Sequence, residues 1–529
     1  MTTPLLADYL DNTVPWAKQQ EAFAAALNDA SNPYFPLFAL FMEQRTGKCI
    51  VGIGLMAYWW EQREIDAVVV VAAPAGVPGN WRDEIVGTPH NDPPRRMPDW
   101  VTHSTLVWDC GRAEQVGYRQ KLDALMKFKG LSILLVPSEA VSTDNWRAYM
   151  ARFVRKRRVF GIVDESSLVM ARAGNKRAKI LRGMSHHTTR RMILDGTPAG
   201  ESPLAMYPQM AFLSTDILGA DNSTLFKAKY ADIVMEERRD GKKYPVIKGY
   251  KALDEMAERL TPVSFRCTRK ECYDIPDKLY QPYRFDLSPE QRRVYDDLSE
   301  KYEAELRDGS AVSARMVLTR YLRLQQITSN YWPPEVELAI CSDCDGGGCE
   351  ACDGLGGIPV MSAPKIIANY DSRLEAYREV IQLNMSAPLI TWARFTPDVD
   401  KVMATLQDLG RKPVRYDGKV PKDQKELNKR AFQSGEATDI VCNQGAAQRG
   451  INLGRAKGHV FFSNTYSGIQ RTQAEDRTEI AGRTEGTFIV DLLARDTNDE
   501  DIVQAHVEKL ALSELVMQRR HTLHKRGLR

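Results

Sequence analysis

Short apolar runs alternating with stretches of helical periodicity set the pattern of this chain. Phe38-Ala-Leu-Phe-Met42, Ala67–Ala73, Ser132–Val136, Val159–Val163 and Met192–Leu194 are apolar almost throughout. Such runs predict strands buried on both faces, and the intervals between them supply crossover helices of a parallel sheet. A charged interval, Tyr230 to Glu258, contains Glu236-Glu-Arg-Arg-Asp-Gly-Lys-Lys243 and reads as an insertion around 215–260. Helices are predicted over Leu287–Arg307 and Val312–Ile327. Tyr331-Trp-Pro-Pro334 then breaks the pattern and a Gly/Cys-rich patch runs to Gly357. From Pro364 the alternation restarts with a helix to Leu383, a strand Pro388–Trp392, a helix Asp398–Leu409, and strands Ile440–Asn443, His459–Ser463 and Phe488–Leu492. The predicted fold class is α/β, with two lobes of parallel sheet flanked by helices and a small module between them. The expected units are residues 1–285, a helical connector 286–335, the module 336–360 and a second lobe 361–529.

Composition narrows the class. A chain of 529 residues exceeds one core, so two or three domains are expected. With 43% hydrophobic and 27% charged residues, it has the make-up of an ordinary globular protein. No apolar stretch reaches bilayer length without charges, and Met1–Asp11 lacks a signal-peptide pattern, so a cytoplasmic protein with no membrane partner is expected. The net charge of +3 does not point to nucleic acid, and any basic track must be local. Arg155-Lys-Arg-Arg158 reads as a solvated helix face, and the tail Arg519–Arg529 is equally compatible with phosphate contact and with fraying.

Candidate chemistry begins at Glu43-Gln-Arg-Thr-Gly-Lys-Cys49, between an apolar strand and the apolar stretch Ile50–Trp60. A strand, tight turn and helix start of this kind grips nucleotide phosphates. Arg45, Thr46 and Gly47 build the turn, backbone N–H groups face the anion, and Lys48 reaches the β/γ-phosphates. The turn is poor in glycine, and Cys49 stands where a Ser or Thr helps hold Mg²⁺. Val159–Val163 runs into Asp164-Glu165. Adjacent acids favour a helix's first turn. Downstream of a phosphate loop, however, they read better as a magnesium ligand (Asp164) and a group that orients or deprotonates the attacking water (Glu165).

Leu194-Asp-Gly-Thr-Pro198 follows one strand, and Pro74 with Asn80-Trp81-Arg82-Asp83-Glu84 follows another. Taken in order, these elements make the chain resemble the Swi/Snf family of helicase-like, DNA-dependent ATPases in superfamily two, the compact phage and prophage type in particular. The resemblance implies two RecA-like lobes with ATP and Mg²⁺ in the cleft and double-stranded DNA as partner. Motif by motif, it implies adenine reading by Gln19, an Asp-Glu box over Asp164–Ser167, and coupling to DNA through Trp81 and Gly196-Thr197-Pro198. Phe265-Arg-Cys-Thr-Arg-Lys270 resembles the segment leaving lobe one. Gly445-Ala-Ala-Gln-Arg-Gly-Ile-Asn-Leu453 resembles motif five, with Gly450 at the nucleotide, and Gln473-Ala-Glu-Asp-Arg477 resembles the start of motif six. Arg477 would be the finger on the γ-phosphoryl, a role worth about 10³–10⁵ in rate. Three departures stand out: Cys49, Ser167 in place of a histidine, and Ile480 at the second arginine of motif six, where Arg483 is the candidate substitute. A weak ATPase serving as a DNA clamp and an RNA-acting helicase of the superfamily are the rival readings. The compartment implied is a bacterial or phage-infected cell.

Of nine cysteines, Cys341, Cys344, Cys349 and Cys352 form two Cys-x-x-Cys hooks inside an eight-residue tandem repeat, Cys341–Gly348 and Cys349–Gly356. Four thiolates in this spacing predict one closed structural Zn²⁺, with disulfides the alternative. The repeat resembles the hooks of DnaJ-type zinc modules. Its acids, with no Lys or Arg from Cys341 to Ile358, point to a spacer or a protein-docking knob rather than a phosphate reader.

Overall fold

The computed structural model describes residues 4–28, 30–73, 81–88, 94–170, 174–200, 202–237, 243–307, 314–332, 336–340, 357–361, 365–445, 453–480 and 482–518. The zinc-module cysteines and Gly450 lie outside them, as does most of the motif-five segment.

Among the described residues the first lobe is a seven-stranded parallel sheet. Its spatial order is His103–Val107, Leu131–Pro137, Ala67–Ala72, Val159–Asp164, Arg190–Leu194, Leu37–Met42 and Ser264–Cys267. The apolar runs are buried along their whole length, because helices cover both sheet faces and each face has its own core. Leu37–Met42 lies between Arg190–Leu194 and Ser264–Cys267, so the phosphate loop, the Asp-Glu box and the Gly-Thr-Pro turn leave neighbouring strand ends. The charged interval after residue 230 forms an exposed antiparallel hairpin, Ala231–Glu237 with Lys243–Tyr250.

Among the described residues the second lobe is a six-stranded parallel sheet. Its order is Leu279–Phe285, Phe488–Ala494, Gly458–Phe461, Leu389–Ala393, Asp439–Asn443 and Pro413–Tyr416. This moves the expected lobe boundary. Leu279–Phe285, which the sequence assigns to lobe one, pairs with Phe488–Ala494 as an edge strand of lobe two. The edge position accommodates Pro282, which has no N–H to donate. The connector also belongs physically to lobe two, since Leu287, Tyr295, Leu324 and Ile327 share one core with Tyr377, Val399 and Leu492. Val336–Ile340 pairs antiparallel with Gly357–Met361, so the two ends of the cysteine-rich segment meet at Ile340 and Gly357.

Candidate active site

The phosphate loop is shaped by two left-handed residues. Gly47 sits at φ +83° as the N-cap of helix Lys48–Glu61, and Arg45 sits at φ +65°. Glycine is required at position 47 for a second reason: a Cβ there would lie 2.2 Å from the Gln19 amide nitrogen. Gln19 donates to the Thr46 carbonyl at 3.0 Å and accepts from the Trp16 N–H at 2.9 Å. The glutamine expected at adenine is therefore buried against the loop backbone, bracing the turn and capping its own helix. Thr46 is buried, and its hydroxyl donates to the Glu43 carbonyl at 2.7 Å. Lys48 folds back, with Nζ donating to the carbonyls of Met42 at 2.9 Å and Glu43 at 3.2 Å.

Asp164 closes its strand as a buried carboxylate. Oδ2 accepts from the Trp81 indole N–H at 2.9 Å and Oδ1 accepts from the Glu165 N–H at 2.9 Å. Trp81 is fully buried, and its ring sits where a Cβ on Gly52 would fall, 2.9 Å away. It is thus a brace between the phosphate-loop helix and Asp164, not a surface residue facing DNA. Glu165 adopts φ +50°, a strained conformation for a residue with a side chain. Burial pushes its carboxyl up to about 8; Asp195 and Asp164 add to this, while Lys48 and Arg477 oppose it. Burial likewise raises Asp164, against the pull of Lys48. A further acid, Glu84, is pushed up to about 7 by burial, with Arg96 opposing.

Asp195 ties the acid box to the Gly196–Pro198 turn. It accepts from the Ser167 N–H at 2.6 Å and the Thr197 N–H at 2.7 Å. Ser166 donates to Gln209 at 2.7 Å, and Gln209 donates to the Pro198 carbonyl at 2.7 Å. Gly196 approaches the phosphate loop closely, since a Cβ there would lie 3.2 Å from the Gln44 nitrogen. These bonds connect Asp164–Ser167 to Gly196–Pro198 through short, buried contacts.

The lobes meet over this site. Arg45 donates to the Arg477 carbonyl at 3.0 Å and to the Glu479 carbonyl. Arg269 holds Glu43 at 3.1 Å, pairs with Asp476 at 2.8 Å and reaches Glu479. Lys278 adds pairs to Glu475 at 3.2 Å and Glu479 at 2.8 Å. A cavity of about 790 Å³ lies between the lobes here, lined by Gln44, Gly196–Pro198, Arg269 and Glu475 among others. Arg477 is buried; desolvation and the nearby Arg45 lower its guanidinium to about 10, while Asp476 and Glu165 pull the other way. Arg483 is not brought to this cluster. Its guanidinium donates to the carbonyls of Gly454 at 2.9 Å, Ala456 at 2.8 Å and Thr478 at 3.2 Å, all within lobe two.

For magnesium the donor set fits through Asp164 alone. Burial holds the Cys49 thiol protonated, well above its ordinary range, and a neutral thiol is a poor ligand for a hard cation. The Arg269–Lys278 ion network leaves no trace in the sequence, because its acids lie more than 190 residues away along the chain.

The two parallel sheets, the phosphate loop and the arginine-bearing segment of lobe two held against that loop define a class: a two-lobed, phosphate-loop α/β protein. The model of the SNF2-related domain matches residues 40–331, and the chain belongs to that family. It is 22% identical over 480 residues to the chromodomain-helicase-DNA-binding protein 1-like of Danio rerio, covering 90% of this chain and 41% of that protein. It is 23% identical over 483 residues to the DNA repair and recombination protein RAD54-like of Homo sapiens, covering 86% of this chain and 58% of that protein. The chain spans about two fifths of the length of the first curated relatives it matches. A solved Sulfolobus solfataricus SWI2/SNF2 ATPase core in complex with dsDNA aligns over 98% of this chain and 97% of its own, at 17% identity and TM-score 0.38. No helix among the described residues is long and apolar enough to cross a membrane.

Proposed function

We propose that this chain hydrolyses ATP in the cleft between its lobes and uses the energy to step along double-stranded DNA. The observation that carries the reading is geometric: Arg45 of the phosphate loop donates to the backbone carbonyls of Arg477 and Glu479, which holds the lobe-two arginine segment against the loop that ends at Lys48. In this mechanism Lys48 leaves the Met42 and Glu43 carbonyls for the β/γ-phosphates. Asp164 would hold Mg²⁺ together with phosphate oxygens and water, and the ion would neutralise developing charge. Glu165, once ionised, orients and deprotonates the attacking water, while Arg477 stabilises charge on the transferred phosphoryl group. Arg45, Thr46 and Gly47 would cradle the phosphates through backbone N–H groups, and the family resemblance assigns Gly450 to the nucleotide. Loss of the γ-phosphate weakens the link between Lys48 and Arg477, and the separate bonds that Asp195 and Gln209 make to Ser166, Ser167, Thr197 and Pro198 carry that change to Gly196-Thr197-Pro198, on which the coupling to DNA rests.

We assign the process to recombination, repair or replication of DNA in a phage or bacterial setting. The human RAD54-like relative is named for repair and recombination, and the compact phage-type resemblance supplies the setting. The cysteine-rich segment is read as a one-zinc spacer or protein-docking knob, supported by its Cys-x-x-Cys spacing and by strands that bring its ends together. The test of the function is ATPase rate measured side by side with duplex DNA, single strands, forks and RNA. Stimulation by duplex is the expected result. Stimulation by RNA alone would favour the RNA-acting reading, and tight DNA binding with no stimulated turnover would favour the clamp.

A further inference from the structure

Two thiols outside the catalytic cluster face each other. Cys267 ends the strand Ser264–Cys267 and is fully buried against the lobe-one core; Cys272 ends the short helix Arg269–Cys272 and is half-buried. Their sulfur atoms are 3.1 Å apart. A disulfide needs about 2.05 Å, so an approach of about 1 Å within one short turn would complete the bond. The two thiols are unlike: the contact between them holds Cys272 below the ordinary thiol range and pushes Cys267 well above it. Cys272 is also the more accessible of the two, and the Cys267 thiol donates to the Thr268 carbonyl at 3.2 Å, so Cys272 has the character of the attacking sulfur and Cys267 that of the resolving one.

The turn between them is tightly built and carries the residue that joins the lobes. Glu271 accepts from the Thr268 N–H at 2.7 Å and from the Thr268 hydroxyl at 2.8 Å. Arg269, one residue on, donates its backbone N–H and Nε to Glu43 of the phosphate loop, both at 3.1 Å. Its Nη1 holds Asp476 of lobe two. A bond across residues 267 and 272 draws the two ends of this turn together, and Arg269 with its fork to Glu43 and Asp476 sits between them.

We propose that Cys267 and Cys272 form a reversible dithiol–disulfide pair, a modification site through which a peroxide-class oxidant withdraws Arg269 from the ion network joining the lobes. The Cys272 thiolate attacks one peroxide oxygen and the O–O bond breaks. Sulfenic acid forms on Cys272, and the departing hydroxide takes a proton to leave as water. Cys267 then attacks that sulfur, the S–S bond forms, and the sulfenic hydroxyl leaves with the Cys267 proton as a second water. Two thiols lose two electrons and one peroxide gains them. A dithiol reductant reverses the step.

The experiment treats the full chain with hydrogen peroxide, blocks remaining thiols and digests with trypsin. Cleavage after Arg266, Arg269, Lys270 and Lys278 leaves the two cysteines on separate peptides, Cys267–Arg269 and Glu271–Lys278. The disulfide is then read as a crosslinked pair that dithiothreitol separates. This arm is independent of the proposed ATPase. Hydrogen exchange over Thr268–Lys278, expected to rise on oxidation, reports release of Arg269 without calling on activity. The activity arm rests on the ATPase reading: turnover should fall several-fold on oxidation, recover with dithiothreitol, and resist peroxide in Cys272→Ser. The proposal is overturned if no crosslinked pair forms under peroxide that oxidises the exposed Cys110. It is equally overturned if the crosslink leaves exchange over Thr268–Lys278 unchanged, or if Cys272→Ser loses activity to peroxide as fast as the parent. That last result would assign the sensitivity to Cys49 or to the Cys341–Cys352 segment.

Discussion

Replacing Glu165 with glutamine removes an ionisable group from a site where ionisation is opposed, and the consequences separate chemistry from stability. The carboxyl is raised from 4.5 to about 8, with burial the largest cause. It holds its proton more tightly in the folded chain than in the unfolded one. Its contribution to stability is thus complete below about pH 4.5 and is lost as pH rises through about 8. At about 1.4 kcal/mol per pH unit the full swing is bounded at about 5 kcal/mol, and partial solvent contact of the side chain brings the expected value to about 2 kcal/mol. Glutamine cannot ionise, so Glu165→Gln should gain on the parent in melting temperature between about pH 5 and about pH 8 and hold a constant lead above that. Over the same range the parent's DNA-stimulated kcat/KM should climb toward a plateau, as the water-activating base ionises. The variant should bind ATP but lose hydrolysis by a factor of about 10²–10⁴. Parallel melting curves across this range, together with parental turnover in Glu165→Gln, would refute both the electrostatic environment and the assigned role.

Three further outcomes are expected. Arg477→Ala should abolish most turnover with little loss of stability, whereas Arg483→Ala should destabilise lobe two by about 2 kcal/mol, because carbonyls of Gly454, Ala456 and Thr478 lose their donor; denaturant melts and steady-state rates measured together decide it, and the reverse pattern would move the finger to Arg483. Cys49→Thr should lower the magnesium concentration needed for half-maximal rate, because a hydroxyl replaces a protonated thiol beside Asp164; an unchanged magnesium titration would show that the missing ligand is already compensated. Elemental analysis of reduced protein should find about one zinc per chain, lost in Cys341→Ser plus Cys352→Ser with ATP binding retained; finding no zinc would remove the metal from the module.

Much of this protein is legible along the chain. Strands buried on both faces need apolar residues at every position, so Phe38–Met42, Ala67–Ala73 and Val159–Val163 identify themselves locally. The phosphate loop and Asp164-Glu165 are legible for a similar reason, since their chemistry depends on neighbours in sequence. His103–Val107 and Pro413–Tyr416 were missed because they are sheet-edge strands, mostly half-buried, and carry a weaker apolar signal. Leu279–Phe285 was placed in the wrong lobe because hydrogen-bond partners across a sheet are chosen by topology, not by the strand's own residues.

Side-chain direction was decided only by the tertiary structure. The sequence offers Gln19, Trp81 and Arg483 as candidates for ligand contact. Packing instead turns Gln19 onto the loop backbone, seals Trp81 against Asp164, and binds Arg483 to carbonyls of its own lobe. The Arg269 network and the facing thiols Cys267 and Cys272 likewise depend on where the chain returns in space. The physical reason is one of range. Backbone preference and burial period act over a few residues and leave a trace in the sequence. Hydrogen bonds and ion pairs between distant segments depend on distances set only once both lobes have folded and met.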